Sequence, residues 1–284
     1  MILVTGAAGK TGRAVLQALA SKGHSVQALV RRPEQARLVE SLGAQQVVTG
    51  DMRYRAVLDH ATRGARAVYH ICPNVSPDEV AIGKVALAAA RAAGVEHFVY
   101  HSVLHPQTES MPHHWLKLRV EELLLESRLP LTILQPAAYM QNILAQWDQI
   151  LQNGVYQVPY SVETRLTMVD LEDVAAAAAL VLSEPIHVGA TYELVGTESL
   201  AQNAIADTLG SAIGRPVHCD RVPLSQWERR ARATGLGDYQ VHALLSMFRY
   251  YDRHGFHGSP QVLTWLLGRP PSTLEDFVRR QVSS

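Results

Sequence analysis

The chain has 284 residues, enough for one large α/β unit with a smaller attached lobe. Hydrophobic residues make up 47% and charged residues 18%, which supplies a core and excludes a disordered polymer. Lys+Arg and Asp+Glu both number 26, and this balance excludes a nucleic-acid or membrane-surface partner held by bulk electrostatics.

In chain order, an apolar run Ile2–Val4 begins directly after Met1, so no signal peptide is expected. It predicts a strand, and Thr11–Lys22 then has helical periodicity. Ser25–Val30 is the next strand, Pro33–Leu42 the next helical segment and Gln46–Thr49 a third strand. Ala67–Ile71 is a fourth, followed by an Ala-rich helix over Glu79–Ala93. His97–His101 is a fifth, with a helix over His114–Ser127. Leu131–Gln135 is a sixth, and Tyr139–Gln152 is expected to be helical. Val-, Ile- and Leu-rich strands alternating with helices mean βαβ crossovers and a doubly wound parallel sheet.

The second half changes character. Val174–Leu182 reads as a helix with Asp170 at its N-cap and Asp173 at the third helical position. This is the longest apolar run, at nine residues, against the roughly 20 a bilayer requires, so no membrane span is expected. Thr191–Val195 is expected to return to the sheet as a strand. Thr197–Ile213 is helical and Val217–Val222 extended. Ser225–Ala233, Tyr239–His254, Gln261–Leu267 and Thr273–Val282 are further helices. The expected division is a dinucleotide-binding domain over 1–153 and a smaller, mostly helical C-terminal lobe over 154–284, with a small-molecule substrate in the cleft between them. Trp227, Tyr239, Phe248, Tyr250 and Tyr251 stand at helical spacing, where aromatic residues more often form core than line a site. Two cysteines, Cys72 and Cys219, are too few for a disulfide framework and favour a reducing, cytoplasmic setting.

The chemistry starts at Gly6-Ala7-Ala8-Gly9-Lys10-Thr11-Gly12, between the first strand and the first helix. Three glycines leave the backbone bare where it must turn and meet a pyrophosphate. The helix N-terminus then offers N–H groups and the positive end of its dipole. A Gly-rich turn without a ligand is the bland alternative, but strand, loop, helix and second strand together favour a dinucleotide site. The second strand ends in Arg31-Arg32-Pro33, with no carboxylate before Glu34. Guanidiniums at this place suit the 2′-phosphate of NADP(H), and a carboxylate would suit the 2′-hydroxyl of NAD(H). NADP(H) is therefore the expected cofactor and NAD(H) the second candidate. Arg31 and Arg32 as ordinary surface charges is the alternative.

The spacing Gly6-x-x-Gly9-x-x-Gly12 resembles that of the extended and atypical short-chain dehydrogenases/reductases. His97-Phe98-Val99-Tyr100-His101-Ser102, the helix carrying Lys117, Leu131-Thr132-Ile133-Leu134-Gln135-Pro136 and Leu267-Gly268-Arg269-Pro270-Pro271 resemble the NmrA-like branch of that superfamily. The resemblance implies further cofactor contacts. Asp51 would accept from the adenine amino group and Met52 would pack on the ring. Cys72 and Pro73 would pass the nicotinamide ribose, and Pro136 would lie at the nicotinamide end. A turn-capping Asp51 and a packing Cys72 are the alternatives.

Relatives of this type often use Ser, Tyr and Lys, with Tyr-x-x-x-Lys one turn apart on a helix. Ser102 and Lys117 stand where the resemblance expects them, but His113 replaces the Tyr. A nearby ammonium and burial both disfavour an imidazolium, so His113 is expected to be mostly neutral and a modest acid. His101 and His105 lie on a strand running into a Pro-containing loop, and no Cys pair or H-E-x-x-H run accompanies them, so no metal site is expected. The expectation is an NADP(H)-dependent reductase that transfers hydride to a small quinone-like or carbonyl acceptor. The alternative is a non-catalytic NADP(H) sensor acting through a protein partner.

Overall fold

The computed structural model describes residues 1–283. Strands β1 (Ile2–Val4), β2 (Val26–Val30), β3 (Gln46–Thr49), β4 (Ala67–His70), β5 (His97–His101) and β6 (Leu131–Pro136) join Thr191–Leu194 in one seven-stranded parallel sheet. The order is Thr191–Leu194, β6, β5, β4, β1, β2, β3. Strand order reverses between β1 and β4, which is the topological switch point where ligands of this architecture bind. Helices α1 (Lys10–Ser21), α2 (Ala36–Ser41), α3 (Arg55–Thr62), α4 (Glu79–Ala92) and α5 (Pro112–Glu126) provide the crossovers.

The strands read as continuous apolar runs because both faces are covered. Every residue of β1, β2, β4, β5 and β6 is buried, and exposed positions fall on the two edge strands, Gln46 and Thr49 on β3 and Thr191 on the other. One core layer packs Leu3, Leu29, Val68, Phe98 and Ile133 from the sheet against Leu58, Leu87, Val120 and Leu124 from α3, α4 and α5. Gly83 lets α4 and α5 approach closely: a Cβ there would sit 2.9 Å from Val120 Cγ1.

Two compact units emerge, neither continuous in sequence. The first comprises residues 1–107, 113–135 and 174–192; the second comprises 108–112, 136–173 and 193–284. The boundary expected at 153/154 thus falls inside the second unit. In that unit Val155–Val158 pairs with His218–Arg221, Met168–Val169 with Ala138–Tyr139, and Arg165–Leu166 with Leu200–Ala201. Trp227 packs edge-on against Phe248 with 4.8 Å between ring centres, and Tyr251 is buried.

Several local expectations need correction. The helix expected over Tyr139–Gln152 is a short strand, a 3-10 stretch over Met140–Gln146 and a helix only from Trp147 to Asn153. Gln141 explains part of this: its amide donates to Asp170 Oδ1 and accepts from Leu171 N, tying the segment to another helix start. The helix expected from Thr197 begins at Gln202, because Leu200–Ala201 is paired as a strand. Helix α3 has no counterpart in the sequence reading. Asp170 does cap its helix, accepting from Glu172 N at 3.0 Å. Asp173 instead accepts from Arg269 Nη2 and Ser272 N, both at 2.6 Å, which gives the late Arg-Pro-Pro stretch a structural role.

Candidate dinucleotide site and buried polar centre

The expected site residues of the first unit stand in the loops that follow β1, β2, β3, β4 and β5, together with α5. Thr5, fully buried at the exit of β1, joins two of these loops. Its hydroxyl donates to Ile71 O at 3.1 Å, accepts from Ile71 N at 2.9 Å and lies 3.0 Å from His70 Nδ1. The main chains after β1 and β4 are thereby fixed on either side of the switch point.

The glycines do different work. Gly6 turns the chain with φ +59°, a left-handed conformation that favours glycine. A Cβ on Gly12 would lie 2.3 Å from Gly6 O and 2.7 Å from Ala7 Cα, so this glycine lets the helix start close on the loop. At Gly9 the nearest obstacle is Gly6 O, 3.2 Å away, so the loop's own fold constrains it less. Helix α1 then starts with no side-chain cap and no acidic residue in its first turn. Ala8 and Gly9 lead into this turn and Lys10 and Thr11 open it, with Gly9 and Lys10 exposed. A bare glycine cradle at an uncapped helix start fits a pyrophosphate.

Beyond β2, Arg31 and Arg32 are largely exposed. Arg31 Nε lies 3.8 Å from Asp51 and Arg32 Nε 3.2 Å from Glu34. Asp51 is bound more tightly by Arg53, whose Nη2 and Nε reach the carboxylate at 2.7 Å and 3.1 Å. Hydrogen bonds from Arg53 hold the Asp51 carboxyl below its ordinary range. Met52 packs against the core layer of the sheet. Cys72 is buried and Pro73 exposed after β4, and burial, with Glu79 nearby, pushes the Cys72 thiol up, away from nucleophile chemistry.

Two of the three residues expected to do chemistry, Lys117 and Ser102, belong to separate buried networks. Lys117 Nζ donates to Glu79 Oε1 and to His101 O, both at 2.9 Å, and stands 5.0 Å from the centre of the Tyr100 ring. Tyr100 Oη also donates to Glu79 Oε1, at 2.8 Å. Burial alone would raise the Glu79 carboxyl, but the Lys117 ammonium and these hydrogen bonds outweigh it and hold it low. In the second network Ser102 Oγ donates to Glu121 Oε1, and Gln135 Nε2 reaches both Glu121 oxygens at 3.0 Å. Burial raises the Glu121 carboxyl. His113 is buried, and burial with the Lys117 charge pushes it down to about 3, so it is neutral at pH 7. Pro136 closes β6 and belongs to the second unit. Among the described residues no group of three or more His, Cys, Asp or Glu is placed to hold a metal ion.

Residues 1–278 match the profile of the NmrA-like family. The chain is a member of that family. It is 28% identical to an NAD(P)H azoreductase of Xenophilus azovorans over 286 residues, covering 100% of this chain and 99% of the relative. It is 34% identical over 226 residues to a (4-alkanoyl-5-oxo-2,5-dihydrofuran-3-yl)methyl phosphate reductase of Streptomyces griseus, covering 78% and 77%. The crystal structure of an NADPH-dependent quinone oxidoreductase from Escherichia coli, complexed with NADPH, superposes with a TM-score of 0.86. It is 27% identical and covers 99% of this chain and 100% of that one.

The motifs of this NmrA-like chain assign no role to Thr5, Arg53, Glu79, Tyr100, Glu121 or Gln135. A usable signal existed for Glu121. Val120 and Leu124 lie one turn apart on the buried face of α5, and Glu121 shares that face with His113 and Lys117, so a carboxylate stands at helical spacing beside apolar positions. Glu79 opens α4, where an acid reads as helix-dipole compensation.

Proposed function

We propose that this NmrA-like chain is an NADP(H)-dependent reductase that passes hydride to a small quinone-like or carbonyl acceptor. The observation that carries the reading is the glycine cradle at the uncapped start of α1, beside the switch point, in a chain similar over its whole length to an NADPH-binding quinone oxidoreductase. The nicotinamide supplies a hydride when bound. Gly6, Ala8, Gly9, Lys10, Thr11 and Gly12 would receive the pyrophosphate. Arg31 and Arg32 would meet the 2′-phosphate, with Asp51 and Met52 at the adenine and Cys72, Pro73 and Pro136 toward the nicotinamide. NAD(H) is the second cofactor candidate. Two free cysteines suit a cytoplasmic setting. No helix of the described residues is long and apolar enough to cross a membrane.

Within the first unit, Ser102, His113 and Lys117 shape the acceptor end without an evident strong acid. Ser102 donates its hydrogen bond to Glu121, His113 is neutral, and Lys117 is engaged by Glu79. This favours acceptors such as quinones, whose reduced anion tolerates late protonation from water, over isolated ketones. The same observation favours the second reading, a sensor that binds NADP(H) and reports to a protein partner. The test is a titration with NADPH and NADH followed by an acceptor panel of quinones and aldehydes, monitored by loss of reduced-nicotinamide absorbance. Turnover with quinones supports the reductase. Tight NADPH binding with no turnover on any acceptor supports the sensor, and no dinucleotide binding removes both.

A further inference from the structure

The resemblance to short-chain reductases implies that Lys117, on the helix after β5, holds the nicotinamide ribose. Its surroundings in the first unit point elsewhere. The Lys117 and Glu79 side chains are 5% and 1% exposed. An ammonium has three N–H donors. Two are taken by Glu79 Oε1 and His101 O, and the Tyr100 ring occupies a further direction. Glu79 is itself held from a second side by the Tyr100 hydroxyl.

The helices are shaped to bring this pair together. Glu79 and Gly83 lie one turn apart on α4, and Lys117 and Val120 lie on the facing side of α5. A side chain at Gly83 would press on Val120 and hold the helices apart. The carbonyl that Lys117 grips belongs to His101, the residue before Ser102, whose own N–H donates to Leu134 O at 2.8 Å. The ion pair therefore fixes the exit of β5 relative to β6 and α4.

We infer that Glu79 is a positioning residue and that Lys117, held by it, is a pin on the end of β5 and not a ligand of the cofactor. The inference rests on the dinucleotide-binding reading only for its functional readout. Its physical consequence is specific. Removing one partner of a buried pair strands a charge, whereas removing both is tolerated far better. A lysine that bound the ribose would be missed whatever stands at position 79.

The test is a double-mutant cycle on the full chain with wild type, Glu79→Gln, Lys117→Met and the double variant, reading NADPH affinity, naphthoquinone turnover and thermal midpoint. The expected result is that Lys117→Met lowers the midpoint and weakens NADPH binding on the order of tenfold. Adding Glu79→Gln then returns the affinity to within about threefold of wild type and restores most of the midpoint. Equal loss of affinity in Lys117→Met and in the double variant, with Glu79→Gln alone unaffected, would overturn the inference. Should Lys117→Met fail to fold, a folded double variant that binds NADPH supports the pin, and one that is unfolded or does not bind contradicts it. If wild type binds no dinucleotide, the functional reading fails on its own, and recovery or non-recovery of the midpoint still decides the role of the pair.

Discussion

Ser102 donates its hydroxyl proton to Glu121, and both side chains are buried in the first unit of the fold. Gln135, at the end of β6, completes the arrangement by donating to both carboxylate oxygens. A hydroxyl committed in this way orders the exit of β5 before any acceptor arrives.

Replacing Glu121 should therefore cost stability even if it never meets substrate. Glu121→Ala leaves the Ser102 hydroxyl and the Gln135 amide buried without their acceptor, an expected loss of about 1–3 kcal/mol per stranded group. Ser102→Ala should cost less, because Gln135 still satisfies the carboxylate. Urea unfolding of the three chains measures the order, and equal stabilities would show that the network contributes nothing.

The glycines of the loop should separate by phenotype. Gly12→Ala puts a Cβ 2.3 Å from Gly6 O, so it should lower the thermal midpoint and remove NADPH binding together. Gly9→Val meets only Gly6 O, at 3.2 Å from its Cβ, so it should lose NADPH affinity at nearly unchanged midpoint. Thermal melts beside fluorescence titrations distinguish the two. A Gly9→Val chain with wild-type affinity would place the phosphates elsewhere.

NADPH should bind more tightly than NADH. The double change Arg31→Ala with Arg32→Ala should cost about 1.5–3 kcal/mol of NADPH binding at low salt and leave NADH affinity nearly unchanged. Both side chains are more than half exposed, so rising ionic strength should shrink the difference. Calorimetric titration of both cofactors at two salt concentrations checks this, and equal wild-type affinities would count against it.

Acid should unfold the protein through its histidines. Burial pushes His70, His97 and His114 down to about 4 and His101 and His113 to about 3. These folded-state values lie below the ordinary value of about 6.5 for an unfolded chain. The folded state binds fewer protons, so the stability is fully present above about pH 6.5 and falls as the pH drops toward 4. Each histidine contributes a slope of up to about 1.4 kcal/mol per pH unit in that window. Urea unfolding between pH 7.5 and 4.5 should show steep loss, and His97→Gln should make it shallower by one histidine's share. A flat profile would mean that these rings protonate in place.

Much of this was legible in the sequence, for identifiable reasons. The β1 exit, the glycine loop and α1 are local in the chain, so their geometry follows from spacing alone. Strands buried on both faces announce themselves as apolar runs. The partners of Lys117 and Ser102 were hidden because they are distant: Glu79 lies 38 residues before Lys117, and Glu121 lies 19 after Ser102. Spacing places a side chain on a face but does not say which charge it meets there. Helix α3 was missed for a different reason. Its buried residues are Leu58, Ala61 and the polar Thr62, among charged neighbours, too short an apolar stripe to register. The bidentate grip of Arg53 on Asp51, two residues away, has no signature in the spacing either.

A reductase of this kind transfers hydride from NADPH held on the glycine loop. A single-turnover experiment tests it most directly: the chain in excess over NADPH, mixed anaerobically with a naphthoquinone, with reduced-nicotinamide absorbance followed in time. The expected result is complete oxidation of the bound NADPH, much faster than without protein, and a return to the protein-free rate in Gly9→Val. A wild-type chain that binds NADPH yet leaves it reduced in the presence of the quinone would contradict it.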